Sequence, residues 1–231
     1  MSRSSIISTI ALLLLIFIFQ APELNATHIV GGDMTYRCLG NDQYEITLTV
    51  RRDCDNGAED APFDDPAIIG IFDIFGSLQT HLGEFGRIEI PFMGEDTITD
   101  EFLFDCNVLG NPVCVHEAVY RDTFFLPFNK LGYRLAFQRC CRNPILVNIE
   151  DPLETGATYD VSIPVDVLTQ CNSQPVFNEW ADVYICINEE LEFDHSATDP
   201  DGDELVYRLC TPAQGASSDN PRPFTPSNPP Y

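Results

Sequence analysis

No Cys-x-x-Cys pair and no cysteine–histidine cluster with zinc-ligand spacing occurs in this chain, so a thiolate metal centre is not expected. Basic residues are scarce, 12 against 36 acidic ones, for a net charge of −24. A surface of that sign cannot track a phosphate backbone, which excludes nucleic acid as the main partner. Past the first 26 residues no long apolar run follows. A membrane helix needs about 20 apolar residues, so no stable membrane span is expected. Three helical turns of amphipathic spacing, uninterrupted by Gly or Pro, are found nowhere. There are only four histidines, His28, His81, His116 and His195.

What is present points outward from the cell. Arg3 precedes a nearly unbroken aliphatic and aromatic run from Ile10 to Phe19, the pattern of a secretory signal over residues 1–26. Cleavage after Ala26 leaves Thr27 as the mature N-terminus and predicts a secreted or cell-surface chain. All nine cysteines lie after that signal, where oxidising conditions permit disulfides. Nine is odd, so one thiol is left over. Cys106 and Cys114 are close enough in sequence to close a local loop through Gly110-Asn111-Pro112. Adjacent Cys140 and Cys141, if on a strand, point to opposite faces and would bridge two different partners. Cys186 and Cys210 are the further disulfide candidates, with connectivity open.

The patterning is β. Met34–Cys38 and the alternating run Gln43–Val50 flank the turn signal Leu39-Gly40-Asn41-Asp42, which predicts a hairpin. Further strands are expected over 68–75, 87–92, within 113–128, over 132–139 and over 158–165, with loops at 53–65 and 94–100. The expectation is an all-β fold: a β-sandwich over residues 27–167, a linker at 168–178, a partial second β-sandwich module over 179–219, and a proline-rich end, 220–231, that cannot complete a sandwich. The chain reads as cut short within its second module.

One loop carries the chemistry. Asp199, Asp201 and Asp203 alternate with Pro200 and Gly202, so three carboxylates are forced close together. Hard oxygen ligands in a flexible loop suit Ca2+, which takes about six to eight oxygens. The bland alternative is a solvated acidic turn between strands. An EF-hand is excluded: its sixth and twelfth loop positions require Gly and Glu, and here they are Glu204 and Cys210, between flanks 190–195 and 205–209 that read as strands.

Enzymatic signatures are missing. Ile29-Val30-Gly31-Gly32 resembles the activated N-terminus of trypsin-like proteases, but no Gly-Asp-Ser-Gly-Gly loop or Ala-Ala-His-Cys histidine accompanies it. A strand bend at Gly31-Gly32 is the simpler reading. Many carboxylates are present, yet no motif nominates a hydrolytic pair. The chain is read as non-catalytic.

Two stretches resemble known families. Ala197-Thr198-Asp199-Pro200-Asp201-Gly202-Asp203, followed by Tyr207 on the next run, resembles the Ala-x-Asp-x-Asp segment of cadherin-like and PKD-like extracellular repeats. That resemblance implies Ca2+ at Asp199 and Asp201, with Asp203 third and Glu189 or Glu190 as the upstream ligand. The Asp-x-Asn-Asp-Asn linker of cadherins is absent; Cys171-Asn172-Ser173-Gln174-Pro175 stands there. Thr27–Gly40, Tyr44–Cys54 and Gln138–Pro144 resemble the start of large exported surface proteins of gliding-type bacteria, which carry PKD-like or Ig-like repeats and a type IX secretion sorting domain, often labelled gliding-motility-associated. The resemblances imply an Ig-like sandwich and an adhesin-like surface protein with a calcium-stabilised interdomain junction. Its partner would be an extracellular protein or polysaccharide. The alternative is the accessory, carbohydrate-binding or spacer region of a secreted hydrolase whose catalytic domain lies downstream.

Overall fold

The computed structural model describes residues 28–54, 62–98, 114–144, 146–180, 190 and 192–227. The predicted signal, Glu189, Cys106 and Cys186 lie outside the described residues. The chain is all-β. Two four-stranded antiparallel sheets pack face to face, in the orders β1-β2-β6-β5 and β4-β3-β7-β8. Their strands are β1 (Ile29–Gly40), β2 (Gln43–Asp53), β3 (Ala67–Phe72), β4 (Arg87–Ile90), β5 (Glu95–Ile98), β6 (Val115–Phe125), β7 (Tyr133–Arg139) and β8 (Ala157–Ile163). Among the described residues no helix is long and apolar enough to cross a membrane.

Alternation places the core. On β2, Tyr44, Ile46, Leu48 and Val50 are buried while the residues between them are partly exposed, the period of two expected of a sheet with one covered face. Ile69, Ile71, Leu135, Phe137, Val161 and Ile163 answer from the other sheet in the same cluster. Asn41 and Asp42 turn the β1–β2 hairpin with positive φ at both positions, the chemistry of a two-residue hairpin loop.

Gly32 serves close approach as well as the bend. The β1–β2 register shifts between Ile29 and Gly31. A Cβ on Gly32 would lie 2.6 Å from the Thr49 carbonyl oxygen and 2.9 Å from the Tyr159 ring of β8. Backbone and aromatic ring cannot both yield, so Gly32→Val is expected to lower the unfolding free energy by about 1–3 kcal/mol through overpacking. Urea unfolding measures it; an unchanged midpoint would mean that the sheets can slide apart at no cost.

Three expectations change here. Residues 95–98, read as loop, form edge strand β5 against β6; their exposed, charged sequence gives no alternation to find. The predicted linker 168–178 begins inside a short helix, α1 (Val165–Gln170), which ends at Cys171 in the left-handed conformation. The flanks 190–195 and 205–209, read as strands, contribute none among the described residues. Among the described residues, β9 (Val176–Phe177), which lies inside the predicted linker, pairs with β10 (Ala197–Thr198).

The proline-rich end has a place that composition did not suggest. Residues 213–227 run as a strap across the outer face of the β4-β3-β7-β8 sheet. Thr158 N–H donates to the Ala213 carbonyl, and Cys140 N–H to that of Pro221. The Gln138 side-chain amide pairs with the Ser227 backbone in both directions at 2.9 Å. This cover explains why every residue of β7 is buried, including those facing away from the core.

Candidate functional site

The predicted site begins at the β1 edge. Cys38, near the end of β1, is joined to Cys171 at the end of α1, with Cα atoms 5.3 Å apart. The residues that follow are tied to the same edge: Cys38 N–H donates to Ser173 Oγ at 3.3 Å, and Gln174 N–H donates to the Tyr36 carbonyl at 3.1 Å. The segment 171–174 is therefore held as an extension of the sandwich rather than as a loose tether.

The aspartate loop grips that segment. Asp201 Oδ2 accepts from Ser173 N–H at 2.6 Å, and Asp203 Oδ2 accepts from the Asn172 side-chain amide. Asp199 organises the loop itself, its Oδ1 accepting from the N–H groups of Asp201 at 2.9 Å and Asp203 at 3.1 Å, an Asx-type turn. Gly202 takes a positive φ of 82°, which glycine adopts without steric cost. Charge-assisted bonds of this kind are the stronger class of hydrogen bond. Three aspartates thus have work to do in the fold: one shapes the turn and two fasten it to the linker.

Beside this clasp lies a groove of about 410 Å³, lined by Tyr36, Gln174, Phe177, Asp203, Val206 and Tyr207 among others. Burial first, then the charges of Tyr44, Asp166, Asp199 and Asp201, pushes the Tyr36 hydroxyl up to about 12, so it stays protonated in the acidic field of the loop. The chain matches no family model, no curated protein and no solved structure.

As positioned, Asp199, Asp201 and Asp203 do not bring one oxygen each within 4.8 Å of one another. Each carboxylate has a second oxygen beyond the one bonded to the loop or linker. Glu190 is exposed and makes no described contact with the three. Among the described residues the one cluster with metal-binding proximity is Cys54, Cys114 and His116. Its two sulfurs are already joined to each other and so offer no thiolate.

The disulfide expectations need correction. Cys114 pairs with Cys54, 60 positions away, instead of with Cys106: β2 and β6 are hydrogen-bonded neighbours whose ends bring the two together, opposite Asp53 and Val115. Cys140 and Cys141 pair with each other, their Cα atoms 3.0 Å apart across a cis peptide bond. The opposite-face argument assumed a continuing strand, but β7 ends at Arg139. Cys210, a disulfide candidate, is an exposed free thiol with no partner among the described residues.

Proposed function

We propose that this chain is a non-catalytic, exported binding and spacing module. Its sandwich is a rigid extracellular platform, and the aspartate loop fixes the direction in which the following module leaves it. The observation that carries this reading is the bond from Ser173 N–H to Asp201 Oδ2 at 2.6 Å, two residues from the Cys38–Cys171 disulfide. A loop whose carboxylates hold backbone and side chain of the linker sets an interdomain angle.

Export is supported by the disulfides Cys38–Cys171, Cys54–Cys114 and Cys140–Cys141 among the described residues, which persist in oxidising compartments. The net charge of −24 favours solubility and draws divalent cations to the surface. Ca2+ would use the second oxygens of Asp199, Asp201 and Asp203, drawing the loop tighter around the linker and supplying stiffness rather than chemistry. The partner would be an extracellular protein or polysaccharide, met by the sandwich loops and the groove beside Tyr36 and Tyr207.

Thermal unfolding with excess Ca2+ or with a chelator is the test. At calcium about 100 times its dissociation constant, mass action adds roughly 2.7 kcal/mol, and Asp199→Ala together with Asp201→Ala is expected to abolish the gain. An identical midpoint in both solutions would remove calcium from the reading, and the hydrogen-bonded clasp would stand alone.

A further inference from the structure

The strap has the features of a bound peptide. Its carbonyls at Ala213, Gln214, Pro221, Phe224 and Ser227 accept hydrogen bonds from the sandwich: Thr158 N–H and Oγ1–H, Cys140 N–H, Arg139, Arg87 and Gln138 donate them. An extended proline-rich segment offers carbonyls but few N–H groups, so a receiving surface must supply donors, and this one does. Two side chains anchor the register. Arg222 Nε lies 2.9 Å from Asp64 Oδ1, and the Arg87 guanidinium carbon lies 3.2 Å from the Phe224 ring centroid. Arg87 is itself held from below by Glu84 and Glu89 at 3.1 and 3.2 Å. The approach is close enough that a Cβ on Gly215 would sit 2.3 Å from Thr158 Oγ1.

The segment that delivers the strap has the opposite character. Residues 205–209, Leu-Val-Tyr-Arg-Leu, have strand-forming sequence but join no sheet among the described residues, and Val206 is 87% and Leu209 104% exposed. The hydrogen bond from Ala197 N–H to the Tyr207 hydroxyl ties it back to the clasp. Asp203 and Pro212 are nine positions apart, a reach of about 30 Å when extended. An exposed strand-forming tether leading into a well-fitted docked segment is the arrangement in which that segment can be exchanged between copies.

We infer that the outer face of the β4-β3-β7-β8 sheet is a docking surface for the strap of a second copy of this chain. In the exchanged dimer the two 205–209 tethers run antiparallel and pair with each other, which covers the apolar side chains that one chain leaves exposed. In a single chain the strap competes from a millimolar effective concentration, so the closed monomer dominates in dilute solution.

Two full-length variants in a Cys210→Ser background remove that competition. One, Arg87→Ala with Gln138→Ala, spoils the face and keeps the strap; the other, Arg222→Ala with Phe224→Ala, spoils the strap and keeps the face. Each alone is expected to be monomeric by light scattering, and an equimolar mixture is expected to double in mass. A mixture that stays monomeric while both variants keep the wild-type circular dichroism would overturn the inference. Should either variant fail to fold, the Cys210→Ser chain itself decides. Refolded at millimolar concentration it is expected to yield dimers that a Thr158→Cys, Gln214→Cys lock formed beforehand in cis prevents. Absence of dimer, or dimer that survives the lock, refutes the exchange.

Discussion

Replacing both Cys38 and Cys171 with serine is expected to lower the unfolding free energy by about 4–5 kcal/mol. The two residues are 133 apart in sequence, so their bond closes a long loop in the unfolded chain, and the loop-entropy cost rises with the logarithm of that length. The Cys54–Cys114 bridge lies inside the loop and shortens its free contour by 60 residues, which trims only a few tenths of a kcal/mol from the logarithm. Cys38 is half-buried and Cys171 exposed, so serine introduces no buried polar group at either site. For a chain of this size the loss corresponds to roughly 10–15 °C in the unfolding midpoint. Calorimetry under non-reducing conditions reads it directly. A loss below about 1 kcal/mol would mean that the linker stays on the β1 edge by hydrogen bonding alone. Loss of the bridge also bears on the clasp. The Ser173 and Gln174 amides, which donate to Asp201 and to the Tyr36 carbonyl, are expected to exchange faster with solvent than those of the β2–β6 ladder.

Asp64→Ala is expected to cost about 3 kcal/mol, because it strands a buried cation. The Asp64 carboxylate, 10% exposed, lies between Arg139 Nε at 3.2 Å and Arg222 Nε at 2.9 Å. Its Oδ1 is at ion-pair distance from both without an aligned hydrogen bond, so the attraction there is Coulombic. Burial raises the Asp64 pKa, and the two arginines oppose that rise. Burial, above all, brings Arg139 down to about 10, with Asp64 working the other way, so Arg139 remains charged at neutral pH. Removing Asp64 relieves its own desolvation but leaves Arg139, whose side chain is 5% exposed, with the like charge of Arg222 nearby and the carbonyls of Cys140 and Pro221 as acceptors. The cost is therefore placed at the low end of the range for a broken buried pair. A double variant, Asp64→Ala with Arg139→Met, removes both charges and is expected to recover about 2 kcal/mol of that loss. Urea titration of the two single variants and the double one measures the coupling; simple additivity would show that the pair is not an energetic unit. Arg222 belongs to the strap, so the same substitution should also release the segment at 221–224 to proteolysis.

The sandwich was legible because burial writes a period of two. Tyr44, Ile46, Leu48 and Val50 alternate with polar neighbours, and β2 formed where that alternation runs. The runs at 68–75, 87–92, 132–139 and 158–165 likewise became β3, β4, β7 and β8, with ends moved by up to three residues. Strand β5 was illegible because Glu95, Asp96 and Thr97 are exposed on both faces, and a strand held by backbone bonds alone leaves no mark on side-chain pattern. Residues 205–209 went the other way: their composition has strand propensity, but among the described residues they find no neighbour to pair with. The aspartate loop was visible as convergent charge. Its attachment to Asn172 and Ser173 was not, since about thirty residues separate loop from linker and only the fold closes that distance.

By itself the sequence determined the all-β class, the positions of most core strands, and the loop at Asp199, Asp201 and Asp203. Those properties follow from local periodicity and from residue chemistry, which need no partner to be read. Tertiary structure decided which cysteines meet, what the aspartates hold, and where the proline-rich end lies. Each of these is a contact between segments far apart in the chain. Cys114 had Cys106 nearer in sequence, yet the β2–β6 register set it against Cys54. The strap had no apolar pattern to announce a docking site, because its carbonyls make the bonds and every residue carries one.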